Sequence, residues 1–127
     1  MKILIVDDSD LLRRSLSRTL SSLPGVEAVA CARDIAGAID AIQAGRPDVL
    51  VLDIQLRGNE RGMAVLRYVK RFSPATQVAM LSNFGWNAMR EGFVQAGASA
   101  YFDKADEIGA LRDWIVNRVE DRKPAVA

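Results

Sequence analysis

The strongest constraint on this chain is an alternation of two apolar patterns. Three aliphatic runs, Ile3-Leu4-Ile5-Val6, Val49-Leu50-Val51-Leu52 and Val78-Ala79-Met80-Leu81, each end at a polar residue: Asp7, Asp53 and Ser82. Short runs that are apolar at every position fit strands buried on both faces, as in parallel sheets. Two weaker candidates, Glu27 to Ala32 and Ala98 to Asp103, bring the expected strands to five. Between the runs, apolar residues recur every three or four positions. The five sets are Leu12, Leu16, Leu20 and Leu23; Ile35, Ile39 and Ile42; Met63, Leu66, Val69 and Phe72; Met89, Phe93 and Ala96; and Ile108, Leu111, Ile115 and Val119. That spacing draws one stripe along a helix, so five helices are expected. Pro24-Gly25, Gly45 with Pro47, Pro74 and Gly97 stand where the first four must stop. Asp34 and Asp106 suit N-caps.

Strand and helix alternating five times with short connections predict an α/β fold: a five-stranded parallel sheet, doubly wound and flavodoxin-like, with helices on both faces. At 127 residues the chain fits one domain, expected over residues 1–122, with a patternless tail at 123–127 that should fray. The opening apolar run stops at Asp7, far short of a signal-peptide core or a spanning helix, which predicts a cytoplasmic protein with no membrane contact. Seventeen basic residues against 16 acidic ones leave a net charge of +1 and no basic face for direct nucleic-acid binding. Cys31 is the single cysteine and histidine is absent, which excludes an internal disulfide, Cys/His zinc sites and histidine triads. Carboxylates, hydroxyls and amines remain.

In a doubly wound sheet, ligands bind beyond the carboxyl ends of the strands. Asp7, Asp8, Asp53 and Ser82 therefore share one edge, and Lys104, just after the fifth strand, joins them. Three converging carboxylates repel one another unless a cation is present. Magnesium suits such a set because it prefers oxygen ligands and keeps several waters; manganese is an acceptable substitute. Asp8 and Asp53 are the expected direct ligands, Asp7 acts directly or through water, and the main-chain carbonyl of Gln55 completes the protein's share. An Asp that attacks phosphorus becomes an acyl phosphate. Asp53 is the expected nucleophile, since it ends the central strand between the Asp7-Asp8 pair and the Ser82 and Lys104 side. The Ser82 hydroxyl and the Lys104 ammonium would then hold phosphoryl oxygens. Taken singly, each residue has a plainer role: acids cap helices, serines make turns, and lysines sit in solvent. Their joint placement at strand ends carries the reading.

With these residues in place, the sequence resembles the receiver domain of bacterial two-component response regulators from Met1 to about Arg122. Asp7 and Asp8 match the family's acidic metal-binding pair, Asp53 its phosphoacceptor, Ser82 its switch hydroxyl and Lys104 its amine. The run from Ala96 to Tyr101 is also family-like and identifies Tyr101 with the aromatic switch. The resemblance implies that Asp53 takes a phosphoryl group from a sensor histidine kinase or a histidine phosphotransfer protein, later loses it to water, and catalyses nothing else. A conformational switch would then alter binding of an output protein, with Phe84, Trp86, Arg90 and Tyr101 on the partner surface. Because the chain lacks histidine, the phosphohistidine must belong to another protein, and at this length output is expected through protein contact. Arg57 stands where the family usually has proline, Asn83 follows Ser82, and Ala105 replaces the usual proline after Lys104, so a trans peptide is expected there. Those departures motivate an alternative, a degenerate receiver acting as a phosphorylation-independent interaction module. Asp8-Ser9-Asp10 also imitates the alternate acids of haloacid dehalogenase phosphatases, a third reading.

Overall fold

The computed structural model describes residues 1–56, 62–83 and 87–122, so the expectations for the loop from Arg57 to Arg61, for Phe84 and Trp86, and for the tail lie outside the described residues. The elements alternate without exception: β1 (Lys2–Val6), α1 (Asp10–Ser21), β2 (Ala28–Ala32), α2 (Ile35–Gly45), β3 (Val49–Asp53), α3 (Gly62–Phe72), β4 (Gln77–Ser82), α4 (Asn87–Gln95), β5 (Ala100–Asp103) and α5 (Ile108–Arg122). The five strands form one sheet in the order β2-β1-β3-β4-β5. Every neighbouring pair is parallel.

Every residue of β3 is buried, which is why its run is uninterrupted. Its side chains alternate between two cores. Leu50 and Leu52 pack with Ala38 and Ile42 of α2 and with Val65, Leu66 and Val69 of α3. Val49 and Val51 pack on the other face with Leu16 and Leu20 of α1 and Leu111 and Ile115 of α5. Burying each such leucine or isoleucine contributes on the order of 2 kcal/mol, which anchors the central strand between the two helix layers.

Several local details differ from the sequence expectation. The two weaker strands are shorter, beginning at Ala28 and Ala100. On α3 the buried stripe runs through Gly62, Val65, Leu66 and Val69 and continues into Ser73, leaving Phe72 to one side and 55% exposed. Phe72 instead stacks on Tyr68, with ring centroids 4.8 Å apart. Gly45 is the last residue of α2, and the left-handed C-cap position is taken by Arg46 (φ 39°), whose N–H donates to Ile42 O at 2.9 Å. Asp34 caps α2 as expected, accepting from Gly37 N at 2.7 Å. Asp106 does not cap α5. The first helical bond there runs from Leu111 N to Glu107 O at 3.0 Å, so Glu107 holds the cap position and Asp106 lies in the turn before it. No cis peptide occurs among the described residues, in keeping with Ala105 after Lys104.

Candidate functional site

The parallel sheet delivers the candidate residues to one edge. Asp7 and Asp8 follow β1, Asp53 ends β3, Ser82 ends β4 and Lys104 follows β5. Backbone bonds fix these ends: Asp7 N–H donates to Ala32 O (3.1 Å), Ile54 N–H to Leu81 O (3.1 Å) and Lys104 N–H to Ser82 O (2.8 Å). The last of these ties the serine and lysine positions together across the β4 and β5 ends.

Three carboxylates meet there. One oxygen from each of Asp7, Asp8 and Asp53 lies within 4.8 Å of the others. Asp7, Asp53 and Ser82 are buried, whereas Asp8 is exposed. The Lys104 ammonium bridges two of the acids, at 2.6 Å from Asp7 Oδ2 and 3.0 Å from Asp53 Oδ2. Asp7 is further held by Ser9 N–H on its Oδ1 (2.9 Å), while Arg13 Nη1 donates to its main-chain oxygen at 2.6 Å. The Gln55 N–H faces Asp53 Oδ1 at 3.4 Å.

One ammonium does not neutralise three carboxylates, and the electrostatics register the excess. Burial first, and the neighbouring Asp7 charge second, push the Asp53 carboxyl up to about 6; Lys104 and the Gln55 N–H act the other way without cancelling them. Burial alone would lower the Lys104 pKa, but its contacts with Asp7 and Asp53 outweigh that and hold it above its usual value. Asp7 Oδ2 is buried against the Lys104 ammonium. An all-oxygen donor set, partly buried and short of positive charge, fits a hard divalent cation.

The remaining predicted residues divide between that cluster and a neighbouring face. Tyr101 of β5 is buried, in register with Met80 of β4, and its ring centroid lies 6.3 Å from that of Phe93. Arg90 of α4 stands over the Tyr101 ring, its guanidinium carbon 5.3 Å from the centroid. Asp10 is turned away from the cluster: it is exposed and pairs with Arg13 within the first turn of α1. The alternate-acid pattern of the third reading is therefore not assembled.

Sequence reasoning missed Gly62. A Cβ at this position would lie 2.2 Å from the main-chain oxygen of Asp53, and Gly62 N–H donates to Ile54 O at 2.6 Å. The first turn of α3 thus rests on the backbone of Asp53, an approach only glycine permits. In sequence this glycine reads merely as loop punctuation.

Fold and site together define a doubly wound α/β protein with an acidic, lysine-bridged cluster at the carboxyl edge of its sheet. Residues 3–116 match the family described as the response regulator receiver domain, and the chain belongs to that family. Receiver domains are the phosphoacceptor modules of two-component systems. Among curated proteins, a protein-glutamate methylesterase/protein-glutamine glutaminase of Myxococcus xanthus is 34% identical over 113 residues, covering 88% of this chain and 32% of that protein. The chain thus spans about a third of that relative's length. A LuxR-family two-component response regulator from Aurantimonas sp. superposes with a TM-score of 0.84 at 26% identity, over 96% of this chain and 86% of that one. The response regulator domain of Thermotoga maritima CheB shares the fold, with a TM-score of 0.80 at 22% identity and 98% coverage of both chains. No helix among the described residues is long and apolar enough to cross a membrane.

Proposed function

We propose that Asp53 is the phosphoacceptor of this receiver, residues 1–122 forming the domain and 123–127 a tail. The observation that carries the reading is the Lys104 ammonium bridging Asp7 and Asp53 at the end of the central strand. With its pKa at about 6, the Asp53 carboxyl is ionised at neutral pH and is a competent nucleophile. One Asp53 oxygen forms the bond to phosphorus as the donor's N–P bond breaks, and the electron pair stays on the donor imidazole. Because the chain has no histidine, the donor is the phosphohistidine of a sensor histidine kinase or a histidine phosphotransfer protein. Hydrolysis then clears the site: a water oxygen attacks phosphorus, the Asp53 O–P bond breaks, and carboxylate and inorganic phosphate are released.

Asp8 and Asp53, with Asp7 directly or through water and the Gln55 carbonyl, would hold Mg2+ or Mn2+, whose charge offsets that of the phosphoryl oxygens. Lys104 and Ser82 serve as the oxygen-holding groups, and Tyr101 reports the change to an output protein through the surface that includes Arg90. The protein acts in the cytoplasm and performs no turnover beyond its own phosphorylation and dephosphorylation. The phosphorylation-independent alternative is not favoured, because the acids, hydroxyl and amine that the chemistry needs are all retained.

Intact mass measured after incubation with acetyl phosphate and Mg2+ tests the assignment. One phosphoryl adduct is expected on the wild-type chain, not formed when the metal is chelated beforehand and absent from Asp53→Asn. An adduct that persists in that variant, or none on the wild type, refutes it.

A further inference from the structure

The turn that carries Lys104 is closed by a side chain that the phosphoacceptor chemistry does not use. Asp103 Oδ1 accepts from Ala105 N (2.7 Å), and Glu107 N–H donates to Asp103 O (2.9 Å). Across the same turn, Glu107 Oε1 accepts from Asp103 N–H at 2.9 Å. These bonds fasten both ends of the segment in which Lys104 sits. The same Glu107 oxygen also takes Arg90 Nη2 of α4, at 3.3 Å. Arg90 in turn lays its guanidinium over the buried Tyr101 ring.

We propose that Glu107 is a positioning residue with two duties: it sets the Lys104 turn, and through Arg90 it couples that turn to the packing of Tyr101. The proposal rests on the phosphoacceptor reading of Asp53 for its functional meaning, whereas the linkage itself belongs to the free protein. Its physical basis is that one carboxylate oxygen serves two partners on different elements. A displacement of the Lys104 turn moves the Asp103 N–H relative to Glu107, and the Arg90 guanidinium must either follow or lose its ion pair. Arg90 has a planar cation that can satisfy a carboxylate and an aromatic face together, which a lysine ammonium does less well. Glu107 and Arg90 are both partly exposed, so substitutions at either position should leave the chain folded.

Tyr68 and Tyr101 are the only two tyrosines, so ring-labelled tyrosine NMR of the full chain reads Tyr101 directly. Tyr68 serves as the reference because it lies on α3, where its hydroxyl accepts from Gln43 Nε2 at 3.0 Å. In the free protein, Arg90→Gln and Glu107→Gln should each move the Tyr101 ring signal and leave Tyr68 in place, and the double variant should move it no further than either single one. With Mg2+ and beryllium fluoride as the phosphoryl mimic, the Tyr101 displacement seen in the wild type should fall by about half or more in both variants, as expected for loss of a modest ion pair and a cation–aromatic contact. Glu107→Ala removes the acceptor from Asp103 N–H and should slow adduct formation from acetyl phosphate about fivefold, while Glu107→Gln, which keeps an acceptor, should restore the rate to within about twofold of the wild type. A wild-type rate in Glu107→Ala, or an unmoved Tyr101 ring in Arg90→Gln and Glu107→Gln, overturns the proposal. Absence of any adduct on the wild type strikes the Asp53 assignment instead, and the free-protein spectra still decide the linkage.

Discussion

Replacing Asp53 by asparagine should stabilise the protein at neutral pH. Asparagine has nearly the shape of the protonated carboxyl, so the substitution removes the cost of keeping a charged group at this site. The pKa of Asp53 rises from 3.8 to about 6, and a displacement of that size corresponds to about 3 kcal/mol. The sign follows from linkage. A carboxyl whose pKa is raised on folding is neutral in both states below 3.8 and costs nothing there; the cost grows as pH rises towards about 6 and is constant above it. Lys104, whose pKa is also raised, keeps its contribution up to its usual value of 10.5 and loses it as pH rises through the raised one, so it does not enter this window. Urea denaturation of the wild type and Asp53→Asn, with divalent ions chelated, measures the difference. A gain of about 2–3 kcal/mol is expected near pH 7.5, falling below about 1 kcal/mol near pH 4. Added Mg2+ should narrow the gap, since a cation bound to the folded wild type favours the ionised carboxylate. A neutral or destabilising effect near pH 7.5, or an equal gain at both pH values, would refute the claim that burial and the Asp7 charge dominate at Asp53.

Two further substitutions test the backbone around the site. Gly62→Ala should destabilise the chain by about 1–3 kcal/mol in the same urea assay, because its Cβ would sit 2.2 Å from Asp53 O. It should also slow adduct formation by tenfold or more, as expected for a nucleophile displaced by a fraction of an ångström. Arg46→Gly should stabilise by about 0.5–1 kcal/mol, measured by thermal unfolding, because the left-handed backbone strains arginine but not glycine.

How much of this was legible in sequence depended on whether a residue's role is set by the strand pattern or by a particular approach in space. Asp7, Asp8, Asp53, Ser82 and Lys104 follow directly from the pattern, because parallel strands in one sheet bring their carboxyl ends to the same edge. Phe72 was misjudged because a three-residue step from Val69 and a four-residue step to Ser73 are equally helical; only the packed structure shows that the stripe takes the latter. Gly62 and Glu107 escaped for a different reason. Each acts through a contact with a residue several positions away across a turn or loop, and no periodicity encodes such a contact. Asp106 suits a cap on propensity alone, whereas the cap position falls to Glu107, whose longer side chain reaches both Asp103 N–H and Arg90.

The charge arrangement bears on how a switch could work here. In the free protein Lys104 is shared between Asp7 and Asp53, and the cluster carries more negative charge than this one ammonium can neutralise. On the phosphoacceptor reading, phosphorylation turns the Asp53 carboxylate into an acyl phosphate and places the negative charge farther out, on the phosphoryl oxygens. Lys104 then has a stronger partner beyond its present one, and the turn that bears it is drawn the same way. An added group shifts a conformational equilibrium only through interactions that differ between the two states. The phosphoryl oxygens supply that difference at Lys104, and the bond from Lys104 N–H to Ser82 O engages the end of β4 in the same movement. Typical coupling free energies between sites are about 1–3 kcal/mol, and a charge-assisted contact from Lys104 to a phosphoryl oxygen, made in one state only, is of that size.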